Sequence, residues 1–376
     1  MKKIITAALS LLVLVQGQPL CSYGEDLPQI SAKSAVLISA DTGETVFEKN
    51  SAEKLPMAST TKIMTTLLCI ESGGLYEPFV VDSDAIHVEG SSMGLQEGDI
   101  VTKYALCCGM LLPSGNDAAN AAAVKIAGNL PAFAELMNQK AAELGLSKTY
   151  FVTPSGLEGE GHGSSAYDMA VLASAALREP LFREICSSKS IQLEFGDPPY
   201  KRWLKNTNKL LGMYEGVYGV KTGFTDEAGR CLVSACQRDG HDLVCVTLND
   251  RDDWNDHMKM YDYGFGKVSS LTLDLPKNIS LDLVGSVKDS IEVETDGEPL
   301  DITVLSKEQD TEYDIIAPPF VYAPVKKGDK LAELSVKVSG HEIKRLGLYA
   351  AESAEYKIKS KSEKKNFFDM LRSIFS

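Results

Sequence analysis

The sequence predicts an α+β fold followed by a smaller all-β unit, and three observations carry that reading. Strand-like apolar runs stand near residues 35–47 and again near 216–248, with helical periodicity between them. After about Lys267 the texture changes to short alternating runs separated by Gly, Pro and Asp. The last residues, from Lys364 to Ser376, place apolar side chains at helical spacing. The expected architecture is an antiparallel sheet flanked by helices, with a helical subdomain inserted, then a small all-β domain and a C-terminal amphipathic helix.

The elements follow in order. Ala35 to Ser39 and Thr45 to Phe47, joined through Asp41-Thr42-Gly43, read as a β-hairpin with an Asp/Gly turn. Ser59 to Glu71 reads as a helix that aligns Ile63, Met64, Leu67 and Leu68. Residues 104–110, 117–127, 131–144 and 166–177 complete a mainly helical middle. Strand signals return at 216–220, 231–236 and 243–248, the last two joined by a turn at Arg238-Asp239-Gly240. Trp254 to Gly264 reads as a closing helix. Runs at 279–283, 290–293, 302–305 and 330–338 then suit a β-rich module ending near Tyr349. No internal repeat or low-complexity tract is visible.

The two ends read as addresses rather than as core. Lys2 and Lys3 precede an apolar stretch from Ile4 to Val15, and small residues lie at Ser22 and Gly24, which predicts a signal peptide over residues 1–24. The expected domains are then 25–268 and 269–352, with 353–376 as linker and anchor. In the last stretch Phe367, Phe368, Met370, Leu371, Ile374 and Phe375 share one arc of a helical wheel. From Glu355 onward there are six Lys/Arg against three Asp/Glu. A basic amphipathic segment too short to span suits an anionic membrane surface.

Composition narrows the function classes. The 376 residues are 44% hydrophobic and 24% charged, which fits a globular chain rather than a disordered one. The net charge of −14 argues against nucleic-acid binding, which needs clustered Lys and Arg against phosphate. Of eight Cys, cleavage would remove Cys21; the remaining seven are scattered and odd in number, so they read as small core residues, not a disulfide framework. No C-x-x-C pair exists and the five His are dispersed, so no metal or cofactor is expected.

Three short motifs stand in order: Ser59-Thr60-Thr61-Lys62, Ser114-Gly115-Asn116 and Lys221-Thr222-Gly223. Taken singly, each has a bland reading. Ser59 could be a helix cap, Ser114 a turn residue, and Lys221 an edge-strand charge that blocks aggregation. Together they read as chemistry. A serine hydroxyl needs a neighbouring base, and i to i+3 spacing brings Lys62 to the same helix face. A Lys at its ordinary pKa near 10.4 cannot serve, but burial and a second cation such as Lys221 would lower it. A loop can aim Ser114 and Asn116 into a cleft. Gly223 would let a substrate backbone approach a strand edge, beside Lys and Thr groups suited to a carboxylate.

The set and its surroundings resemble one family, the low-molecular-weight penicillin-binding proteins that are serine-type D-alanyl-D-alanine carboxypeptidases. The stretches are Pro56 to Thr65, Leu111 to Ala119 and Gly219 to Thr225, the last continuing through Ala228-Gly229. Thr153 to Leu157, with His162 and Ala166 to Ala170, is similar to a fourth segment. The resemblance covers roughly residues 30–265 and implies a β-lactamase/transpeptidase-like domain. It also implies roles. Ser59 would be the acylated nucleophile, Lys62 its base and Ser114 the proton relay. Asn116 would hold the substrate amide, and Lys221, Thr222 and Gly223 would line the carboxylate site. The backbone N–H groups of Ser59 and Phe224 would form the oxyanion hole. The implied substrate is a peptidoglycan stem peptide ending in D-Ala-D-Ala, with β-lactams as covalent inhibitors. The implied location is the outer face of the bacterial cytoplasmic membrane.

Some residues depart from the family pattern. The carboxylate-gripping Arg that the family often places after the last strand falls near Asp253 here, and Arg251 is the nearest Arg. His162 and Asp168 match the pattern without a chemical role and read as structural. Alternatives stay open at this point: a D,D-endopeptidase, a serine β-lactamase, or a non-catalytic wall-binding scaffold. The Glu and Asn four apart that a class A β-lactamase adds are not found; Glu135 and Asn138 are three apart.

Overall fold

A computed structural model describes residues 27–357. The predicted signal segment and the C-terminal helix therefore lie outside the described residues. The first unit opens with β1 (Ser34–Ser39) and β2 (Thr45–Lys49), the expected hairpin. A 3-10 turn over Ala58–Thr61 then leads into α1 (Lys62–Glu71). The sequence predicts one helix from Ser59. Instead Ser59 sits in the tighter 3-10 turn, because Ala58 adopts a positive φ of 47° and regular α geometry begins only at Lys62.

Short pieces follow: β3 (Phe79–Val80), α2 (Ser83–Ile86) and β4 (Ile100–Val101). The helical middle is α3 (Lys103–Leu111), α4 (Asn116–Ala127), α5 (Leu130–Glu143), α6 (Ala166–Leu177) and α7 (Pro180–Ser187). Next come a ribbon, β5 (Ser190–Gly196) and β6 (Pro199–Lys205), and the strands β7 (Val217–Thr225), β8 (Gly229–Arg238) and β9 (His241–Leu248). The closing helix is α8 (Asp253–Phe265).

The main sheet is antiparallel in the order β2-β1-β9-β8-β7. Helices cover both faces, so β1 is buried at every position. Its side chains alternate between two cores, as strand geometry requires. Val36 and Ile38 pack with the helical middle, whereas Ala35 and Leu37 pack with Met260 and Tyr261 of α8. Helix α1 runs through the larger core, with Ile63 and Met64 fully buried. The seven described cysteines are all free and buried, as small core residues.

The second unit is all β: β10 (Ser269–Leu273), β11 (Ile279–Val284), β12 (Ser290–Thr295), β13 (Leu300–Val304), β14 (Thr311–Ile316), β15 (Val321–Tyr322), β16 (Lys330–Val338) and β17 (His341–Ala350). It has its own core around Leu334, Val336 and Leu348. Thr303 of β13 fastens it to the first unit. Ser39 Oγ donates to the Thr303 carbonyl at 2.7 Å, and Thr303 N–H donates to Asp41 Oδ2 at 2.7 Å. No helix among the described residues is long and apolar enough to cross a membrane.

Candidate active site

The site forms where the 3-10 turn, the α3–α4 connection and β7 meet. Ser59 lies on the turn, half-buried, at the edge of a cleft of about 310 Å³. Ser114 lines the same cleft from the α3–α4 connection, held at a positive φ of 67°. Thr222, Gly223 and Phe224 of β7 form the opposite wall. The three motifs, separated by more than 150 residues of chain, thus converge on one opening.

Lys62 is fully buried at the start of α1. Its Nζ lies 2.9 Å from Ser59 Oγ. It donates to Asn116 Oδ1 at 2.7 Å and to the Ser155 carbonyl at 2.6 Å. A neutral amine has two hydrogens and one lone pair. The two carbonyl acceptors take the hydrogens, which leaves the lone pair for the Ser59 hydroxyl. Burial is the main force that holds Lys62 well below the ordinary Lys range, and the Lys221 charge adds to it, against an opposing contribution from Asp117. An amine so placed can accept a proton at neutral pH.

Lys221 is also buried, and burial lowers it to about 7. Its Nζ donates to the Thr222 carbonyl at 2.8 Å. The strand carrying it runs further than the sequence predicts, through Thr225 rather than ending at Val220. Pairing of Lys221 with Val233 and Gly223 with Cys231 enforces the extension despite weak strand formers. Gly223 allows the close approach: a Cβ there would lie 3.1 Å from the Met57 carbonyl, the Ser59 N and the Thr60 N. The Ser59 N–H therefore sits directly beside this strand.

Asn116 begins α4, and its side chain is spoken for at both ends. The carbonyl accepts from Lys62, and Nδ2 donates to the Glu89 carbonyl at 2.7 Å. One further N–H of the amide remains to bind a ligand carbonyl. Asp117 next to it accepts from Met93 N–H at 2.9 Å and from Gly94 and Leu95 N–H at 3.0 Å, which pins the loop around Ser91 over the cleft.

Several contributors were not among the expected site residues. The Ser155 carbonyl anchors Lys62, and Gly156 lets that segment press against the nucleophile turn; a Cβ at Gly156 would fall 2.0 Å from the Ala58 carbonyl. Thr207 shares a hydrogen bond with Thr222, Oγ1 to Oγ1 at 2.7 Å. Arg230 lines the cleft beside Phe224, its cross-strand partner, its guanidinium paired with Asp253 and 5.5 Å from the Trp254 ring centre. Arg251 is exposed and does not line the cleft. The register just after the third motif, one residue past Ala228-Gly229, is the signal that could have pointed to Arg230.

The fourth segment is structural in its contacts. His162 Nδ1 accepts from Val152 N–H at 2.9 Å, so Nε2 carries the proton and donates to Thr61 Oγ1 at 3.0 Å. Burial, with help from the Lys54 charge, lowers His162 to about 4, so it is neutral. Asp168 accepts from Lys148 N–H at 2.7 Å and from Thr149 Oγ1 at 2.8 Å. Among the described residues, no group of three or more His, Cys, Asp or Glu side chains is placed to hold a metal ion.

Comparison with known proteins agrees with this geometry. Residues 22–252 match the model of the peptidase S11 family, D-alanyl-D-alanine carboxypeptidase. The chain is 34% identical over 358 residues to D-alanyl-D-alanine carboxypeptidase DacF of Bacillus subtilis, covering 90% of this chain and 91% of that one. Penicillin-binding protein 5 of Haemophilus influenzae superposes with a TM-score of 0.64 at 27% identity, over 88% of this chain and all of that one (100%). The Streptomyces K15 DD-transpeptidase superposes with a TM-score of 0.61 at 30% identity, over 64% of this chain and 98% of that one. The expected β-lactamase/transpeptidase-like α+β fold is therefore the observed one. By motif, geometry and relatives, the chain belongs to the serine-type D-alanyl-D-alanine carboxypeptidases of the penicillin-binding-protein group.

Proposed function

We propose that this carboxypeptidase removes the terminal D-alanine from peptidoglycan stem peptides through an acyl-enzyme on Ser59. The observation that carries the proposal is the Lys62 amine, buried, 2.9 Å from Ser59 Oγ and already holding two carbonyl acceptors. Ser59 Oγ attacks the carbonyl carbon of the penultimate D-Ala as Lys62 takes the hydroxyl proton. The oxyanion forms between the N–H groups of Ser59 and Phe224, the donors expected to lower the barrier most. The C–N bond then breaks. Lys62 returns its proton through the Ser114 hydroxyl to the leaving amine, and D-alanine departs. Water attacks the ester, again giving up a proton to Lys62, and the proton returns to Ser59 Oγ.

The substrate's ends are held by charge and by strand geometry. Asn116 donates its remaining amide N–H to the peptide. Lys221, Thr222 and Arg230 bind the terminal carboxylate, with Gly223 leaving room for the backbone. Arg230 takes the part that the resemblance would give to an Arg near Asp253. A β-lactam follows the same first step, but its leaving nitrogen stays tethered in the opened ring, so the adduct persists.

The organisation fits an exported enzyme. We assign residues 1–24 to a signal peptide, 25–268 to the catalytic domain, 269–352 to the β-rich domain and 353–376 to a linker and peripheral membrane anchor. The test is mass spectrometry of the enzyme with penicillin, beside Ser59→Ala, together with D-alanine release from a pentapeptide ending in D-Ala-D-Ala. A long-lived adduct on Ser59 with D-alanine release is expected. Fast penicillin turnover without D-alanine release would make the chain a β-lactamase.

A further inference from the structure

The β-rich domain has a pole that the chemistry does not use. Strand β17 starts beside the catalytic domain: the Ser339 turn and Glu342 border a cavity also lined by Asp41 and Arg178. Its ten residues, at about 3.3 Å each, carry the chain about 30 Å away to Ala350. The chain continues in the same direction beside β12, where Ala351 N–H donates to the Glu292 carbonyl, and reaches the turn after β11, where Lys357 N–H donates to the Gly285 carbonyl at 2.7 Å. The described chain thus ends at the pole far from the catalytic domain.

That pole carries exposed apolar and aromatic side chains. Val284 and Tyr322 are register partners in the parallel β11–β15 pair and lie on its outer face. The Phe320 and Tyr322 rings meet edge to face at 5.1 Å. Val287 stands at the tip of the β11–β12 turn, 78% exposed, and Tyr356 is 62% exposed beside Gly285. Residues of this type, apolar with a polar rim, settle where headgroups meet acyl chains.

Charge on the pole itself is mixed, and the cation excess that suits an anionic partner comes from the tail beyond it. Lys326, Lys327 and Lys357 are exposed and make no ion pair among the described residues, while Lys288 is matched by Glu352. Asp282, Asp289, Glu292, Asp329 and Glu355 are the other exposed acids here, Asp329 accepting from Lys326 N–H. The nineteen residues beyond Lys357 add five Lys/Arg against two Asp/Glu, in the amphipathic pattern of a surface anchor.

We propose that this pole (Val284, Val287, Phe320, Tyr322 and Tyr356) is a second membrane-contact surface that seats on the headgroup region of an anionic bilayer. It deepens the peripheral-anchor reading above. Two contacts in place of one would fix the enzyme's tilt and hold its cleft at a set height over the membrane.

The test uses the full mature chain and vesicles of mixed phosphatidylcholine and phosphatidylglycerol. Val287→Asp combined with Tyr322→Asp should lower vesicle partition about tenfold while D-alanine release from a soluble peptide stays unchanged. An environment-sensitive dye on Val287→Cys should shift to the blue when vesicles are added; the described cysteines are buried, so the label is selective. Phe368→Asp with Ile374→Asp separates this surface from the anchor. If the tail variant loses partition and the pole variant does not, the anchor stands and the second surface is refuted. If the pole variant loses partition and the tail variant keeps it, the surface stands without the anchor. A wild type that ignores vesicles refutes both. A dye already blue-shifted without vesicles, and shifted back in the tail variant, shows the tail folded onto the pole and also refutes the surface.

Discussion

Lys62 Nζ sits 2.9 Å from Ser59 Oγ with its other hydrogen-bonding directions filled by Asn116 and the Ser155 carbonyl. The arrangement makes one amine the proton acceptor for one hydroxyl. Lys62→Ala should therefore slow acylation by penicillin about a thousandfold, within the range of a lost general base. Stopped-flow acylation, with circular dichroism to verify the fold, is the measurement. An acylation rate within tenfold of wild type would remove Lys62 from the proton transfer.

The two buried lysines also set a pH dependence. Acylation of a peptide needs Lys62 neutral and Lys221 charged. Burial lowers Lys221 to about 7, so kcat/KM for a peptide carboxylate should fall as pH rises through about 7. A bound carboxylate favours the cation, so the alkaline limb of kcat should lie higher than that of kcat/KM. Stability has the opposite slope. Folded Lys221 binds fewer protons than unfolded Lys221, so wild type should gain stability relative to Lys221→Met from about pH 7 up to the ordinary Lys value of 10.5. Coincident alkaline limbs would separate Lys221 from the carboxylate.

Much of the fold and the centre of the site could be read from the chain because local signals and chemistry agreed. The hairpin at Ser34–Lys49 shows as two apolar runs around an Asp/Gly turn, and the helices over 104–177 show as apolar, Ala-rich stretches of helical length. The ribbon of β5 and β6 is only half legible: Ile191, Leu193 and Phe195 alternate with Gln192 and Glu194, but the partner run carries Lys201, Arg202 and Lys205 and both strands are largely exposed. The edge strand β14, with Glu312 and Asp314, was hidden for the same reason. Within the site, Ser59 and Lys62 are neighbours in sequence and could be paired by spacing. Thr207 reaches the site only through long-range packing, which leaves no local trace, while the Ser155 carbonyl and Arg230 lie in or beside segments that the motifs mark but take up their roles only once the chain is folded.

Gly156 is the tightest backbone contact behind the nucleophile. Its φ is +85°, and a Cβ would lie 2.0 Å from the Ala58 carbonyl. Gly156→Ala must move either the Ser155–Gly156 segment or the 3-10 turn that carries Ser59. The substitution should cost about 2–4 kcal/mol of stability from backbone strain and steric clash. It should also slow acylation about a hundredfold, since a displacement near 1 Å misaligns the hydroxyl and its base. Thermal denaturation and acylation kinetics measure both, and a variant that keeps wild-type values in each would show that the two segments separate freely.

Arg230 is the remaining cation at the carboxylate end of the cleft. It reaches there from β8, where it is register partner to Phe224, and Asp253 and Trp254 hold it from α8. It is more exposed than Lys221, so its pull on a carboxylate is weaker and screened by salt. Arg230→Met should raise KM for a D-Ala-D-Ala peptide about tenfold with little change in kcat, as expected for binding lost equally from ground and transition states. Asp253→Asn leaves the Arg in place but removes its partner; a raised KM there too would show that the ion pair positions the guanidinium. The decisive control is a substrate whose terminal carboxylate is amidated. Arg230→Met and wild type should turn it over at the same rate, and a persisting difference would place Arg230 in a role other than gripping the carboxylate.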